Sequence, residues 1–220
     1  MGNRIANIFS YLFHPVFYPP LVLVFYLYDN PVDFGLSTPL EDKVLILQTV
    51  ITCTLLPLAA VVVMRRLKMI SSFQMDDRME RIGPYIAMMI FLIWYYLSVD
   101  LYGVAPIFRI FILGGIVSLI AVFIINVFSK VSLHATGISG VASNMMISYG
   151  HFDNRQFVFQ RGDQYFQIDY LIILGVIFLI LFIVLLSRFY LKKHTLTELF
   201  GGLLLGLFGQ IVALKLIYII

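Results

Sequence analysis

The chain alternates long apolar runs with short polar segments. Apolar runs near the length a helix needs to cross a hydrocarbon core, about 20 residues, fall near 9–28, 43–64, 85–102, 106–128, 133–149, 168–187 and 196–219. The sixth is an unbroken stretch of Leu, Ile, Val and Phe between Asp169 and Arg188. The fifth is interrupted by His134, Thr136, Ser139, Ser143, Asn144 and Ser148, so it is expected to face the inside of a bundle rather than lipid. Pro15, Pro19 and Pro20 lie in the first run and predict a kink or a late helix start. The same prolines, with no small-x-small site after the run, favour a retained first helix over a cleaved signal peptide. The expected fold is all-α, a polytopic integral membrane helix bundle of six or seven transmembrane helices, and a single domain over 1–220 because no repeat or linker divides it.

The polar residues collect in five places: 29–43, 65–81, 129–134, 150–167 and 187–198. If seven helices alternate in direction, the segments 65–81, 129–134 and 187–198 share one face of the membrane. An even number of crossings separates each from the next. The segments 29–43 and 150–167 then lie opposite, and 150–167 reads as a solvated loop with an aromatic belt at the interface.

Composition agrees with a membrane solvent. Apolar residues make up 61% of the 220 and charged residues 12%, against roughly 45–50% and 25% in soluble chains. A net charge of +3 spread over the whole chain makes no nucleic-acid patch. The single cysteine, Cys53, excludes a disulfide framework and a thiolate-rich metal site. Membrane lipids are the expected surroundings, and the inner (plasma) membrane of a bacterium the expected location.

Three polar segments carry candidate chemistry. In Ser187–Glu198, His194 and Glu198 are four apart and stack on one helix face. A carboxylate there can take the imidazole N–H, fix the tautomer and raise the basicity of the other ring nitrogen. Arg188 offers a planar fork for a phosphate. The same residues, with Lys192 and Lys193, also fit a headgroup-level snorkelling cluster. In Ser129–Gly137, Ser132 and His134 stand at the mouth of a helix whose free N–H groups suit an anion, although Ser132 serves equally as an N-cap and His134 as a structural hydrogen-bonding group. In Gln74–Pro84, Arg78 and Arg81 can share a face, or belong to a salt-bridged loop with Asp76, Asp77 and Glu80.

Taken in order, the three segments resemble the type 2 phosphatidic acid phosphatase superfamily. Its motifs are Lys-x6-Arg-Pro, Pro-Ser-Gly-His and Ser-Arg-x5-His-x3-Asp. Here the third is Ser187-Arg188, five residues, His194, three residues and Glu198, with Glu in place of Asp. The second keeps Ser132 and His134 and lacks the Pro and Gly. The first keeps Arg81, with Pro84 displaced and Gln74 where the Lys would stand, so that Arg78 takes over the Lys role. The resemblance implies a lipid phosphatase acting on a phosphomonoester or diphosphate, such as phosphatidate, phosphatidylglycerol phosphate, a polyprenyl diphosphate or a lipid A phosphate. It further implies that His194 is the nucleophile of a phosphohistidine intermediate, that Glu198 orients it, and that His134 is the general acid and then the base. Arg188, Arg81, Arg78, Ser132 and the backbone N–H of Leu133 would hold the phosphate oxygens. No metal and no cofactor is implied.

Two other readings compete. Asp76, Asp77 and Glu80 suggest a magnesium-dependent membrane prenyltransferase, but no second acid-rich motif accompanies them. A transporter or non-catalytic bundle would place paired charges along mid-membrane helices, and the charges here gather at the ends. Elsewhere, His14-Pro15 reads as a kink with a locally bonded imidazole. Gly201, Gly202, Gly206 and Gly209 predict close helix packing, within the chain or in a homodimer. For sidedness, Arg4, Arg65, Arg66, Lys68, Lys192 and Lys193 on the site face argue for the cytoplasm, whereas the family's habit is the outer side.

Overall fold

The computed structural model describes residues 2–100, 103–151, 155–161 and 164–219. Helix α1 (Gly2–Leu12) ends before His14, a 3-10 turn occupies Pro15–Phe17, and α2 (Tyr18–Asp29) follows. Proline explains the break: Pro15 has no N–H for the helical ladder, while Pro19 and Pro20 fall in the first turn of α2, where none is needed. Helix α3 (Lys43–Val50) runs through a wide π-helical turn at Ile51–Leu55 into α4 (Leu56–Arg66). Pro57, in the first turn of α4, is the local cause.

Then come α5 (Ile82–Asp100), α6 (Pro106–Asn126), α7 (Leu133–His151), a hairpin of β1 (Gln156–Arg161) and β2 (Gln164–Asp169), α8 (Tyr170–Tyr190) and α9 (Leu196–Ile219). Among the described residues, six segments are long and apolar enough to cross a membrane: Arg4–Asp29, Lys43–Arg66, Met79–Val99, Pro106–Asn126, Tyr170–Tyr190 and Leu196–Tyr218. The chain is an all-helical membrane bundle, as the apolar runs predict.

Helix α7 is not one of the six, and it occupies the interior. Thr136, Ser139, Ser143, Asn144 and Ser148 are all buried. Inside a bilayer these groups have no water to bond, so each must find a protein partner. Asn144 accepts from the Tyr26 hydroxyl at 2.8 Å and donates to the Ile107 carbonyl at 3.2 Å and to Gln210 Oε1 at 3.3 Å. The Ser139 hydroxyl donates to Leu203 O at 2.7 Å, and Ser118 of α6 donates to Leu205 O at 2.9 Å, so both helices are tied to α9. Bonds of this kind between membrane helices contribute about 0.6–2 kcal/mol each.

The glycines of α9 make that approach possible. A Cβ on Gly202 would stand 2.7 Å from Ser132 O and 2.9 Å from Ala135 Cβ, and one on Gly206 would stand 2.8 Å from Gly140 N. The small-residue spacing is therefore used within the chain, against α7. Around Gly201 there is open space.

The segment at 150–167 departs from the expected loop. Residues 152–154 and 162–163 lie outside the described residues, but on either side of 162–163 the chain pairs antiparallel, with Gln156 opposite Asp169 and Arg161 opposite Gln164. The cause is period-2 alternation. Phe157 and Phe159 share one face with Phe166, Phe159 and Phe166 stack at 5.2 Å between centroids, and Phe157 stacks on Phe25 of α2 at 5.1 Å. The aromatic residues form a sheet face rather than a loose belt.

Candidate active site

At the other end of the bundle, the three polar segments meet. Lys193 Nζ donates to Asp76 Oδ1 at 3.0 Å, Arg81 Nη1 to Val131 O at 3.5 Å, and the Ser132 N–H to Glu198 O at 3.3 Å. Between them lies a cavity of about 280 Å³ whose wall includes His134, His194, Arg81, Arg188 and Lys193.

Local folding brings Arg188 and His194 together. Helix α8 ends in a Schellman turn: the Lys193 N–H donates to Arg188 O at 3.2 Å and the Lys192 N–H to Phe189 O at 2.9 Å. Lys192 sits at φ 54°, in the left-handed region that glycine usually fills. This reversal carries His194 back over the end of α8. Thr195 then N-caps α9, its hydroxyl accepting the Glu198 N–H at 3.3 Å. Glu198 is at N3, where a capping box would send its side chain back to the cap. Instead, Glu198 Oε2 accepts from His194 Nδ1 at 2.7 Å.

That bond decides the tautomer. With Nδ1–H directed at the carboxylate, Nε2 of the neutral ring carries the free lone pair. His194 is only 7% exposed. Burial outweighs the Glu198 bond and, helped by the positive charges of Arg188 and Arg81, lowers the imidazole from its ordinary 6.5 to about 4. At neutral pH the ring is uncharged and nucleophilic.

His134, one residue into α7, bonds through Nε2 to the Ser10 carbonyl at 3.0 Å. A carbonyl only accepts, so Nε2 carries the proton, and Nδ1 is the nitrogen left to exchange one. Ser10 also anchors Arg188: its hydroxyl takes Nη1 at 2.6 Å. Arg188 Nε is buried and, among the described residues, has no hydrogen-bond partner. Arg188 itself lines the cavity, and its cation favours an acceptor-rich ligand there. Arg81 is steadied by Nε donating to Met75 O at 2.9 Å.

The structure brings together His194, His134, Arg188, Arg81 and Leu133 on one wall, with Glu198 behind His194. It does not bring Ser132 or Arg78 there. Ser132 is fully buried as the N-cap of α7, its hydroxyl accepting the Ala135 N–H at 3.4 Å. Arg78 donates to the Phe128 carbonyl and accepts at its own carbonyl from Asn126 Nδ2 at 2.8 Å, so it ties the 74–81 loop to the end of α6. Neither lines this cavity, because each is committed to holding a chain turn.

Sequence reasoning missed the N-terminal contribution. Ser10, Tyr11 and His14 line the cavity, more than 110 residues from the His134 and His194 they approach. The only local sign is the i, i+4 spacing of Ser10 and His14 ahead of Pro15.

The acids of the rival reading are engaged with protein. Asp76 pairs with Lys193, Asp77 Oδ1 accepts the Met79 N–H at 3.0 Å, and Glu80 Oε1 accepts the Ser71 N–H at 2.7 Å. Among the described residues, no three His, Cys, Asp or Glu side chains group to hold a metal ion. The chain matches no protein-family model, no curated protein and no solved structure.

Proposed function

We propose that the protein is an integral membrane lipid phosphatase that hydrolyses a phosphomonoester or diphosphate of a lipid through a phosphohistidine. The observation that carries this reading is the neutral His194, held by Glu198 with Nε2 free, in one cavity with His134 and the partly unpaired Arg188. It agrees with the resemblance to the type 2 phosphatidic acid phosphatases carried by Ser187-Arg188, His194 and Glu198.

In the first step the Nε2 lone pair of His194 attacks phosphorus and the bond from phosphorus to the leaving oxygen breaks. That oxygen takes a proton from Nδ1 of His134, a ring that is charged by the proton of the bound phosphate monoanion and keeps its other N–H on the Ser10 carbonyl. In the second step His134 Nδ1 takes a proton from water, the water oxygen bonds to phosphorus, and the N–P bond breaks. Phosphate leaves and His134 is protonated again. Arg188 and Arg81 meet the negative charge on the non-bridging oxygens, which is where electrostatic stabilisation contributes most. Glu198 steadies the ring as it becomes cationic.

A smaller cavity of about 80 Å³ supports a lipid rather than a soluble ester. It shares Met88 and Leu133 with the first and continues between apolar walls such as Leu92, Phe111 and Leu119. The phosphate would rest at the interface while a hydrocarbon chain starts down this slot. Phosphate release from phosphatidate, phosphatidylglycerol phosphate, a polyprenyl diphosphate and a lipid A phosphate tests the proposal, with His194→Ala and His134→Ala as controls. Release from at least one lipid, abolished in both variants that still fold, is expected. Turnover that survives either substitution contradicts the role assigned to that histidine.

A further inference from the structure

The chain has four histidines, and three of them, His14, His134 and His194, line the same cavity. The reaction above uses two. His14 stands at the break between α1 and α2, and its Nδ1 accepts the Val16 N–H at 3.4 Å, capping the 3-10 turn. An amide N–H only donates, so Nδ1 is unprotonated and the neutral ring carries its proton on Nε2. Among the described residues Nε2 bonds to no protein acceptor. The ring meets His134 edge to face, with centroids 5.0 Å apart and an angle of 86° between planes. Ser10, one turn earlier, holds both His134 and Arg188. His14 and Arg188 thus line one cavity, His14 with an Nε2–H that no described residue accepts and Arg188 with its cation.

Donors with no acceptor are complementary to an anion with several acceptor oxygens. We propose that His14 is a substrate-binding residue, donating Nε2–H to a non-bridging phosphate oxygen of the lipid substrate. The inference rests on the lipid-phosphate reading and extends it: α1 and its break supply a fourth segment of the site. His14 gives no proton up. Its Nδ1 is held as an acceptor by Val16, so it acts as a fixed hydrogen-bond donor, while His134 exchanges protons.

The structural and binding roles of His14 separate by substitution. His14→Asn keeps an acceptor near the Nδ1 position, and Asn is a favoured cap, but nothing reaches the Nε2 position. His14→Gln reaches that position with an N–H and gives up the cap. The test measures phosphate release from phosphatidate in detergent micelles, calorimetric binding of inorganic phosphate, and Tm. Loss of a hydrogen bond to a charged group corresponds to roughly a tenfold to hundredfold loss. His14→Asn is expected to lower kcat/KM and phosphate affinity by at least about tenfold at an unchanged Tm, with His14→Gln recovering most of both. Wild-type kcat/KM and phosphate affinity in His14→Asn would overturn the proposal, as would equal losses in Asn and Gln that follow a fall in Tm. A wild-type protein that binds no inorganic phosphate also overturns it. If the wild type binds phosphate but releases none from phosphatidate or the other lipids, the enzymatic reading fails while the binding comparison still decides the role of His14.

Discussion

Replacing Glu198 by Asp shortens the side chain that holds His194 by one methylene. The Oε2 to Nδ1 distance is 2.7 Å, and the two residues are one helical turn apart across the start of α9. Withdrawing the carboxylate by about 1.5 Å, one C–C bond, lengthens this contact to about 4 Å, past any hydrogen bond. A hydrogen bond to a charged group contributes about 1.5–3 kcal/mol. At about 1.36 kcal/mol per tenfold, Glu198→Asp should lower kcat roughly tenfold to hundredfold. Glu198→Gln keeps the reach and an accepting oxygen but loses the charge, so its loss should be smaller, about tenfold. The assay is phosphate release at saturating lipid phosphate in detergent micelles, with Tm confirming that both variants fold. Asp as active as wild type, or more active than Gln, would refute the claim that this carboxylate's reach sets the nucleophile.

Three further outcomes follow from the same geometry. His194 has its folded value lowered to about 4 from 6.5. The unfolded chain therefore takes up a proton between pH 6.5 and 4 that the native ring refuses, and this group's share of stability falls as pH drops through that window. Histidine 15N NMR of wild type against His194→Ala should show a neutral ring at pH 6, and a titration midpoint near 6.5 contradicts the burial argument. Gly202→Ala places a Cβ 2.7 Å from Ser132 O and should lower stability by about 1–3 kcal/mol, whereas Gly201→Ala, with open space around it, should leave Tm unchanged; equal Tm values would contradict the α7–α9 packing. Phosphate release should persist in chelator, and complete loss that magnesium restores would favour the prenyltransferase-like reading.

What was legible in the sequence follows the range of the interactions. The run from Tyr170 to Leu186 needs no context to be a membrane helix, and the Ser, Thr and Asn residues of α7 announce an interior position because lipid cannot satisfy them. The pairing of His194 with Glu198 is visible because it is local, four residues on one face. The hairpin was less visible: Phe157, Phe159 and Phe166 serve an aromatic belt and an alternating strand equally well until Phe25 supplies a partner. Ser132 and Arg78 have residue types suited to phosphate, but a buried cap and a loop tie claim them. Ser10 and His14 were hidden most thoroughly, since only tertiary folding brings α1 against the ends of α7 and α8.

The proposed reaction requires a bond between His194 and phosphorus during turnover. Acid-quench-free, alkaline trapping of the protein with 32P-labelled lipid phosphate, followed by peptide mapping, addresses it directly. A base-stable, acid-labile label is expected on the peptide containing His194, absent from His194→Ala and strongly reduced in His134→Ala, where the first step lacks its acid. Label on an acidic residue, or turnover of the labelled lipid with no phosphoprotein formed at all, would contradict it.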